Sequence, residues 1–497
     1  MKTECVVALD AGSGSGRSAV FNLQGNLLAV AAEDWAPRVP EDEPLGSEFD
    51  PEQMWAALCR TTRLALERAG VPADAVRGIS TTSQRDGSVF LDAQGKELLC
   101  TTNRDARGVL HAEEVAKEFG EQIYRVTGRW PLGLNALDRL GWLRLHRPEV
   151  YERIARVFMI SDWLVYRLSG RVCSEPTNAS SSLLFDVGQH CWSPELAGLL
   201  GHSPQVCPRC YHSGEAVGTL TAQASAALGL PGGIPVAMGA ADSQAACLGC
   251  SSFEDGATTI IAGTTIPVQM VLTHPVFDEL HRLHLGAYVT PGRWVLESNG
   301  GVAGTSYRWF CETFVGTGAA YAVMEREMQE AEPGEVMAVA GPQIADFRAL
   351  AFPPKSAFVF PFLGGMERPP KRGAFGRAIL GNIACVVRGN VDQLAEISAQ
   401  PVTALNLCGG LAHSVLLAHM VADLCQQPVH VPVVREASSL GAAICAAVGA
   451  RAYPDVQSAA TAMVHWEPTI EPDPVGVRRY KGLYRKWTTL FQQARGL

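Results

Sequence analysis

The chain has no excess of basic residues. Its 41 lysines and arginines are outnumbered by 50 aspartates and glutamates, for a formal net charge of −9, so it offers no basic surface to nucleic acid. No helix-turn-helix pattern precedes the first strand-like run, which argues against a DNA-binding regulator. No run reaches the roughly 18–20 apolar residues that a membrane span needs. Met1-Lys2-Thr3-Glu4 leads straight into a strand, where a secretory leader would place a basic start and a long apolar core. The expectation is a cytoplasmic protein with neither a nucleic-acid nor a membrane partner.

Cysteine, by contrast, is plentiful. Fourteen are scattered through apolar segments such as WAALCRTTRLAL and GAAICAAVGA, which reads as small buried hydrophobes in a reducing compartment. Two C-x-x-C pairs, Cys207–Cys210 and Cys247–Cys250, are separated by 36 residues. Zinc-holding pairs usually lie about 15–20 residues apart, so these read as two ordinary pairs. With 497 residues, 47% of them hydrophobic and 18% charged, the chain is long enough for two or three domains with filled cores.

The segment VVALDAGSGSGRSAVFNL places Asp10 at the end of an apolar run, then a glycine–serine turn, then a second run, the pattern of a β-hairpin. Asp50-Pro51-Glu52 is a helix start, and EQMWAALCRTTRLALERAG keeps helical apolar spacing until Gly70. A strand–turn–strand pattern is expected over 78–99, a loop at TGRWPLG, and largely helix over 136–170. LPGGIPVAMGAADSQAACLG reads as loop, buried strand, aspartate and helix. ATTIIAGTTIPVQMVL repeats the opening theme of strand, hydroxyl-and-glycine turn and strand, an echo of pattern more than of letters. ALNLCGGLAHSVLLAHMVADL gives a strand, a Gly-Gly turn and a helix, and VVREASSLGAAICAAVGA a tightly packable helix. CSSFEDG looks like a linker, placing a domain boundary near 247–256, between domains 1–247 and 256–497.

The glycine turn fits neither standard phosphate fingerprint. A dinucleotide-binding loop would need glycine where Arg17 stands, and a P-loop needs G-K-[ST] five residues after its first glycine. A hairpin turn can still receive phosphate. Its glycines permit close backbone approach, Ser13 and Ser15 carry donors, and Asp10 is a hard oxygen ligand for magnesium. The alternative is a tight hairpin whose aspartate satisfies turn amides. Asp242, after IPVAMGAA, is either the N-cap of the helix that follows or a general base. Arg85 and Asp86 are either sugar-binding groups or a surface ion pair beside a turn.

Taken in order, LDAGSGSGR, TTSQRDGSVFLDAQGKEL with NRDAR, MISDWLVYRLSG, EPTNASSSLLFDV, GAADSQAACLG, IAGTTIPVQ, FPFLGGMERPP with RGAFG, CGGLAHSVLLAHMVADL and VREASSLGAA resemble the FGGY carbohydrate kinases of the actin–hexokinase ATPase superfamily. The resemblance covers nearly the whole chain. It implies two ribonuclease H-like α/β domains with a cleft between them, the sugar mostly on the first and ATP-magnesium mostly on the second. It implies that Asp10 organises magnesium together with Asp242, and that Asp242 is the catalytic base. Ser13, Gly14, Ser15 and Arg17 would lie along the ATP phosphates, Thr264 and Thr265 would meet them from the second domain, and Gly304, Gly409, Gly410 and Ser414 would line the nucleotide pocket. Gln84, Arg85 and Asp86 would grip the sugar, with Asn103 and Asp105 nearby.

Many relatives carry tryptophan where Asn103 stands and lysine where Arg139 stands. With asparagine and arginine there, the pattern is similar to the autoinducer-2 kinase branch, whose members phosphorylate a terminal hydroxyl of a short open-chain signalling sugar. A ketopentose or polyol kinase is the alternative within the family, and a nucleotide-binding sugar sensor the alternative outside catalysis. A homodimer is left open as the assembly. Three departures stand out: Gly16 where bulkier residues are common, Asn22 where aspartate is usual, and only about 35 residues between Arg372 and Gly409.

Overall fold

The computed structural model describes residues 4–199, 204–318, 320–349, 355–361 and 369–495. The chain forms two compact units. The first comprises Met1–Phe253, Leu272–Val295 and Glu436–His465; the second comprises Glu254–Val271, Leu296–Arg435 and Trp466–Leu497.

The first unit is built on a six-stranded sheet, in the order Ala216–Thr219, Pro235–Ala241, Val76–Ser83, Cys5–Ala11, Ser15–Asn22 and Leu27–Asp34. The opening hairpin is antiparallel with Asp10 opposite Arg17, whereas Cys5–Ala11, Val76–Ser83 and Pro235–Ala241 run parallel. All seven residues of CVVALDA are buried, as expected for a central strand covered on both faces. Helix Pro51–Ala69 starts where Asp50 accepts from the amides of Glu52 and Gln53 and stops at Gly70 in the left-handed conformation, as its sequence predicts.

The other face is closed by small residues. Helix Ala437–Gly449 crosses helix Asp242–Gly249 so closely that a Cβ on Gly441 would fall 1.9 Å from the Ala245 carbonyl oxygen, and one on Gly249 would fall 2.1 Å from that of Ala437. The same helix presses on the sheet, where a Cβ on Gly78 would lie 2.5 Å from the Ala446 oxygen. Cysteines are core residues in both units: Cys100, Cys173, Cys385, Cys425 and Cys445 are buried, and burial pushes their thiols up, so they pack as neutral apolar groups.

Residues 136–170 are largely helix, as expected, but a strand interrupts them: Arg156–Met159 lies between helices Pro148–Tyr151 and Ile160–Ser169. It pairs antiparallel with Ser88–Leu91, whose other side takes Glu97–Thr101. Four residues are too few for helical or strand periodicity to be told apart, and the open edge of Ser88–Leu91 decides the matter.

The second unit repeats the opening theme. Strand Ala257–Ile261 pairs antiparallel with Pro267–Leu272 and parallel with Ala404–Cys408, which in turn pairs parallel with Val429–His430. The short stretch after Arg372 is one helix of 27 residues, Arg372–Ser398, joined directly to strand Ala404–Cys408. Of the motif FPFLGGMERPP, residues 362–368 lie outside the described residues. No described helix is long and apolar enough to cross a membrane.

The helix crossing at Gly441 is open to test. Gly441→Ala should lower stability by about 1–3 kcal/mol through overpacking, read as an earlier denaturant midpoint. A variant within about 0.5 kcal/mol of the parent would show that the helices do not meet this closely.

Candidate functional site

In the first unit the chemistry gathers at the carboxyl ends of the three parallel strands, where open α/β sheets hold ligands. Asp10 lies across the ladder from Thr82, and Thr82 from Ala240. In that register Gln84, Arg85 and Asp86 leave the middle strand beside Asp10, and Asp242 leaves the third.

The Asp10 residue is 6% exposed. Its contacts with Arg17 Nε at 3.9 Å and Ser439 Oγ at 3.5 Å are long, and burial raises its carboxyl above the ordinary range. The turn beside it is short: Gly12 N donates to Ser15 O at 3.0 Å, and Trp35 N to Gly14 O at 3.1 Å. Trp35 also accounts for Gly16. A Cβ there would fall 2.2 Å from the indole ring, so the ring occupies the space a side chain would need. Gly14 is exposed, with open space where a Cβ would point.

Asp242 is the first residue of its helix, and Ala241 takes the cap position. Its carboxylate accepts from Ser243 N at 2.7 Å and Ser243 Oγ at 3.1 Å and lies 3.8 Å from Arg85 Nε. A third of the side chain still meets solvent. Burial, joined by the charge of Asp10, pushes its carboxyl up to about 6 against the opposing pull of Arg85. The approach to Asp242 is fixed from behind. Ala241 N donates to Thr177 Oγ1 at 2.8 Å, and Thr177 Oγ1 donates to the buried Glu175 at 2.7 Å.

Arg85 and Asp86 turn to different partners. Asp86 has a φ of 65°, uncommon for a non-glycine residue. It is held there by Asn135 Nδ2, which donates to its Oδ1 at 3.1 Å, by Ser181 Oγ, which accepts from its amide at 3.3 Å, and by Arg139, which donates to its carbonyl. Arg129 Nη1 lies 3.7 Å from the carboxylate. None of Arg129, Asn135 and Ser181 is singled out by its sequence pattern. Each sits in a loop or motif whose partner is distant in the chain, and no local signal names that partner.

Gln84 and Asn103 join this edge to the glycine turn. Gln84 Nε2 donates to Gly12 O at 3.3 Å, its Oε1 accepts from Asn103 N at 3.1 Å, and Asn103 Nδ2 donates to Ser13 Oγ at 2.9 Å. Asn103 Oδ1 is enclosed with no protein donor. Gln84 is itself 1% exposed, so it braces the turn.

Asp105 departs from the expectation of a sugar-facing group. The residue is fully enclosed. Its carboxylate accepts from Ser47 N at 2.9 Å and Arg107 Nη2 at 2.5 Å, and lies 3.4 Å from Arg139 Nε. Its charge is spent on two buried guanidiniums, leaving no face for a ligand. Through Arg139 it supports Asp86 from below.

The second unit shows the same use of strand ends. Ile261 and Cys408 face each other across adjacent parallel strands, and turns 262–265 and 409–410 follow them. Gly304 N donates to Thr264 O at 3.1 Å, and a Cβ on Gly304 would fall 2.2 Å from Gly263 O. Leu411 N donates to Ala262 O at 2.9 Å, and Gly409, with a φ of 86°, leaves only 2.8 Å between its own Cβ position and that oxygen. Thr264, Thr265, Gly304, Gly409 and Gly410 thus come together, with both threonines exposed. Ser414 is placed differently. Its hydroxyl caps helix Val415–Cys425 by accepting from Leu417 N at 3.2 Å and donates to Glu325 at 2.9 Å. Among the described residues no group of three or more His, Cys, Asp or Glu is arranged to hold a metal by itself.

Comparison with known proteins gives one consistent answer. Residues 5–249 match the N-terminal domain, and residues 258–450 the C-terminal domain, of the FGGY family of carbohydrate kinases. An autoinducer-2 kinase of Escherichia coli is 31% identical over 99% of this chain and 95% of its own length. Among solved structures, xylulose kinase from Rhodospirillum rubrum matches with a TM-score of 0.83 at 24% identity, over 99% of each chain. Gluconate kinase from Lactobacillus acidophilus matches at 0.85 and 16%, also over 99% of each. At those identities the likeness is one of fold: two ribonuclease H-like α/β domains of the actin-like ATPase type.

The support role of Asp105 has a direct check. Asp105→Asn strips the carboxylate from two buried arginines and should cost about 3–5 kcal/mol of stability, measured by chemical denaturation. A loss under about 1 kcal/mol, the scale of an exposed pair, would return Asp105 to the list of ligand-facing groups.

Proposed function

We propose, because this chain belongs to the FGGY family of carbohydrate kinases, that Asp242 is the base that takes the proton from a sugar hydroxyl as that hydroxyl attacks the γ-phosphate of ATP. The protein is a sugar kinase. The observation that carries the assignment is the position of Asp242 at the end of a parallel strand, with Arg85 alongside and its carboxyl lifted to about 6. A base poised there is ionised at neutral pH yet basic enough to accept a proton in the transition state.

The sugar is assigned to the first unit, most of which is the expected domain 1–247, joined by Leu272–Val295 and Glu436–His465 from the expected domain 256–497. Arg85, Asp86 and Asn103 face it, with Gln84 and Asp105 behind them. The enclosed Asn103 Oδ1 is an acceptor suited to a hydroxyl donor. Asp86, gripped by Asn135 and Arg129, presents a fixed carboxylate to neighbouring hydroxyls. The nucleotide is assigned to the turns of domain 256–497: Thr264 and Thr265 on phosphate, with Gly304, Gly409, Gly410 and the Ser414 helix start beside the nucleoside. Ser13, Gly14, Ser15 and Arg17 meet phosphate from the opening hairpin.

A divalent cation fits Asp10. The carboxylate is recessed, its own range raised by burial, and the Arg17 guanidinium stands 3.9 Å away. Asp10 would hold magnesium with Asp242, the remaining positions going to water and phosphate oxygens, as this ion prefers. When bound, magnesium supplies positive charge that offsets the charge on the transferring phosphoryl group. Ala241 and Thr177 keep Asp242 from turning away, and Arg85 keeps its proton affinity from rising further.

For the acceptor we infer a short open-chain sugar of the autoinducer-2 type. This rests on Asn103 and Arg139, both built into the site, and on relatives of that name along nearly the whole chain.

Asp242→Asn should cut sugar-dependent ADP release by about 10²–10⁴-fold while ATP binding, followed by fluorescence titration, is kept; an Asn variant with full turnover would end the assignment. The pH profile gives a second reading. Below about 6 Asp242 holds its proton and cannot act as base, so kcat/KM should rise with pH through that value and then level. A profile flat down to pH ~4, the ordinary carboxyl range, would mean another group does the work.

A further inference from the structure

Away from the strand ends, the first unit contains a second cleft of about 670 Å³, walled by residues 212–215, 289–291, 448, 454–458 and 461. Its size lies within the range of small-molecule pockets, roughly 300–1,000 Å³. None of the residues discussed above as catalytic or substrate-facing lines it.

Its lining is selective. Among the described residues of its wall there is no lysine or arginine. Two carboxylates, Glu215 and Asp455, stand at its rim, so a phosphate or a carboxylate ligand would meet repulsion with no guanidinium or ammonium to receive it. Hydroxyl and amide groups, from Ser213, Thr290 and Gln457, alternate with apolar Val448 and its neighbours. Ser213, 8% exposed, and Thr290 both have enclosed hydroxyl oxygens with no protein partner. Buried hydroxyls are seldom left in that state, and both belong to the cleft wall.

We propose that this cleft is a second, non-catalytic binding site for a neutral polyhydroxylated molecule of sugar size. Hydroxyls and an amide can each give and take hydrogen bonds with a polyol, and the carboxylates accept from its hydroxyls without needing a charged partner. Asp455 accepts from Ser458 N at 2.7 Å and from Ser458 Oγ at 3.1 Å, and Glu215 Oε2 from His212 N at 3.2 Å, so both are oriented while keeping lone pairs to spare. The floor is tied to the strand that carries Asp242: Gly214 N donates to Met238 O at 2.8 Å, and Met238 N to Glu215 O at 2.9 Å. The inference does not rest on the roles given to Asp242 or Asp86.

The test is ligand-observed saturation-transfer NMR on the full chain, with erythritol, xylitol and sorbitol as probes and inorganic phosphate and glycerol 3-phosphate as charged controls. At least one polyol should bind the parent protein and should still bind Asp86→Ala. Ser213→Ala should weaken that binding about tenfold, the value of one hydrogen bond. Gln457→Trp, a change at an exposed position, should abolish it by filling the mouth, with thermal midpoints near the parent's for both variants. Failure of all three polyols to bind the parent would overturn the proposal. So would binding that survives both cleft variants but disappears in Asp86→Ala, or binding of the phosphate compounds at the cleft as strong as that of the polyols.

Discussion

Three strands of the first unit, Cys5–Ala11, Val76–Ser83 and Pro235–Ala241, run parallel and end in register, and a carboxylate stands at or just past each end: Asp10 in the last two residues of its strand, Asp86 and Asp242 beyond theirs. Parallel pairing is what makes this arrangement available. It points every carboxyl end the same way, so residues from distant parts of the sequence meet without any long excursion of the chain. The second unit uses the device again, with the turns at 262–265 and 409–410 following Ala257–Ile261 and Ala404–Cys408. Sequence similarity between the two halves is faint because what is repeated is a ladder and the direction of its strands, and many apolar residues satisfy both.

Charges held close to low-dielectric surroundings are costly, and this protein settles them with guanidinium groups in layers. Arg85 lies against Asp242, Arg129 against Asp86, and Arg139 and Arg107 against Asp105. Arg107 also reaches Glu43 and Glu48, and it stacks 5.0 Å over the Trp142 ring. The deeper members, Arg107 and Arg139, are almost fully buried, and Arg139 holds the backbone of Asp86 in place. Arginine suits this part better than lysine because its planar fork can serve a carbonyl and a carboxylate together, as Arg139 does with Asp86 and Asp105.

Much of this was legible in the residues. The hairpin around Asp10, the Asp50 cap, the Gly70 stop and the strand–Asp–helix at 235–249 follow from local rules of capping, turn chemistry and periodicity. So did the grouping of Thr264, Gly304 and Gly409, though only through the family's order of motifs. What stayed hidden was whatever depends on a distant partner. Nothing in TGRWPLG announces that Arg129 will face Asp86, and nothing in NRDAR distinguishes an exposed Asp105 from a fully buried one. The unusual Gly16 explains itself only once Trp35, nineteen places on, is seen lying over it. The four residues Arg156–Met159 became a strand because a partner edge was available, a fact about the tertiary structure and not about those four residues.

Helix Ala437–Gly449, which closes one face of the first unit's sheet, comes from near the end of the chain. The sheet it covers is begun by residue 5. A chain emerging from the ribosome therefore cannot finish its first unit until it has been made at least as far as Gly449, and until then a row of small, apolar positions along Gly78 and Ala245 lies uncovered. Contacts of such long sequence separation slow folding and prolong the exposure of sticky surface. During synthesis the later-encoded second unit is the one whose main sheet can be completed from a nearly continuous stretch, so the order of assembly need not follow the order of translation.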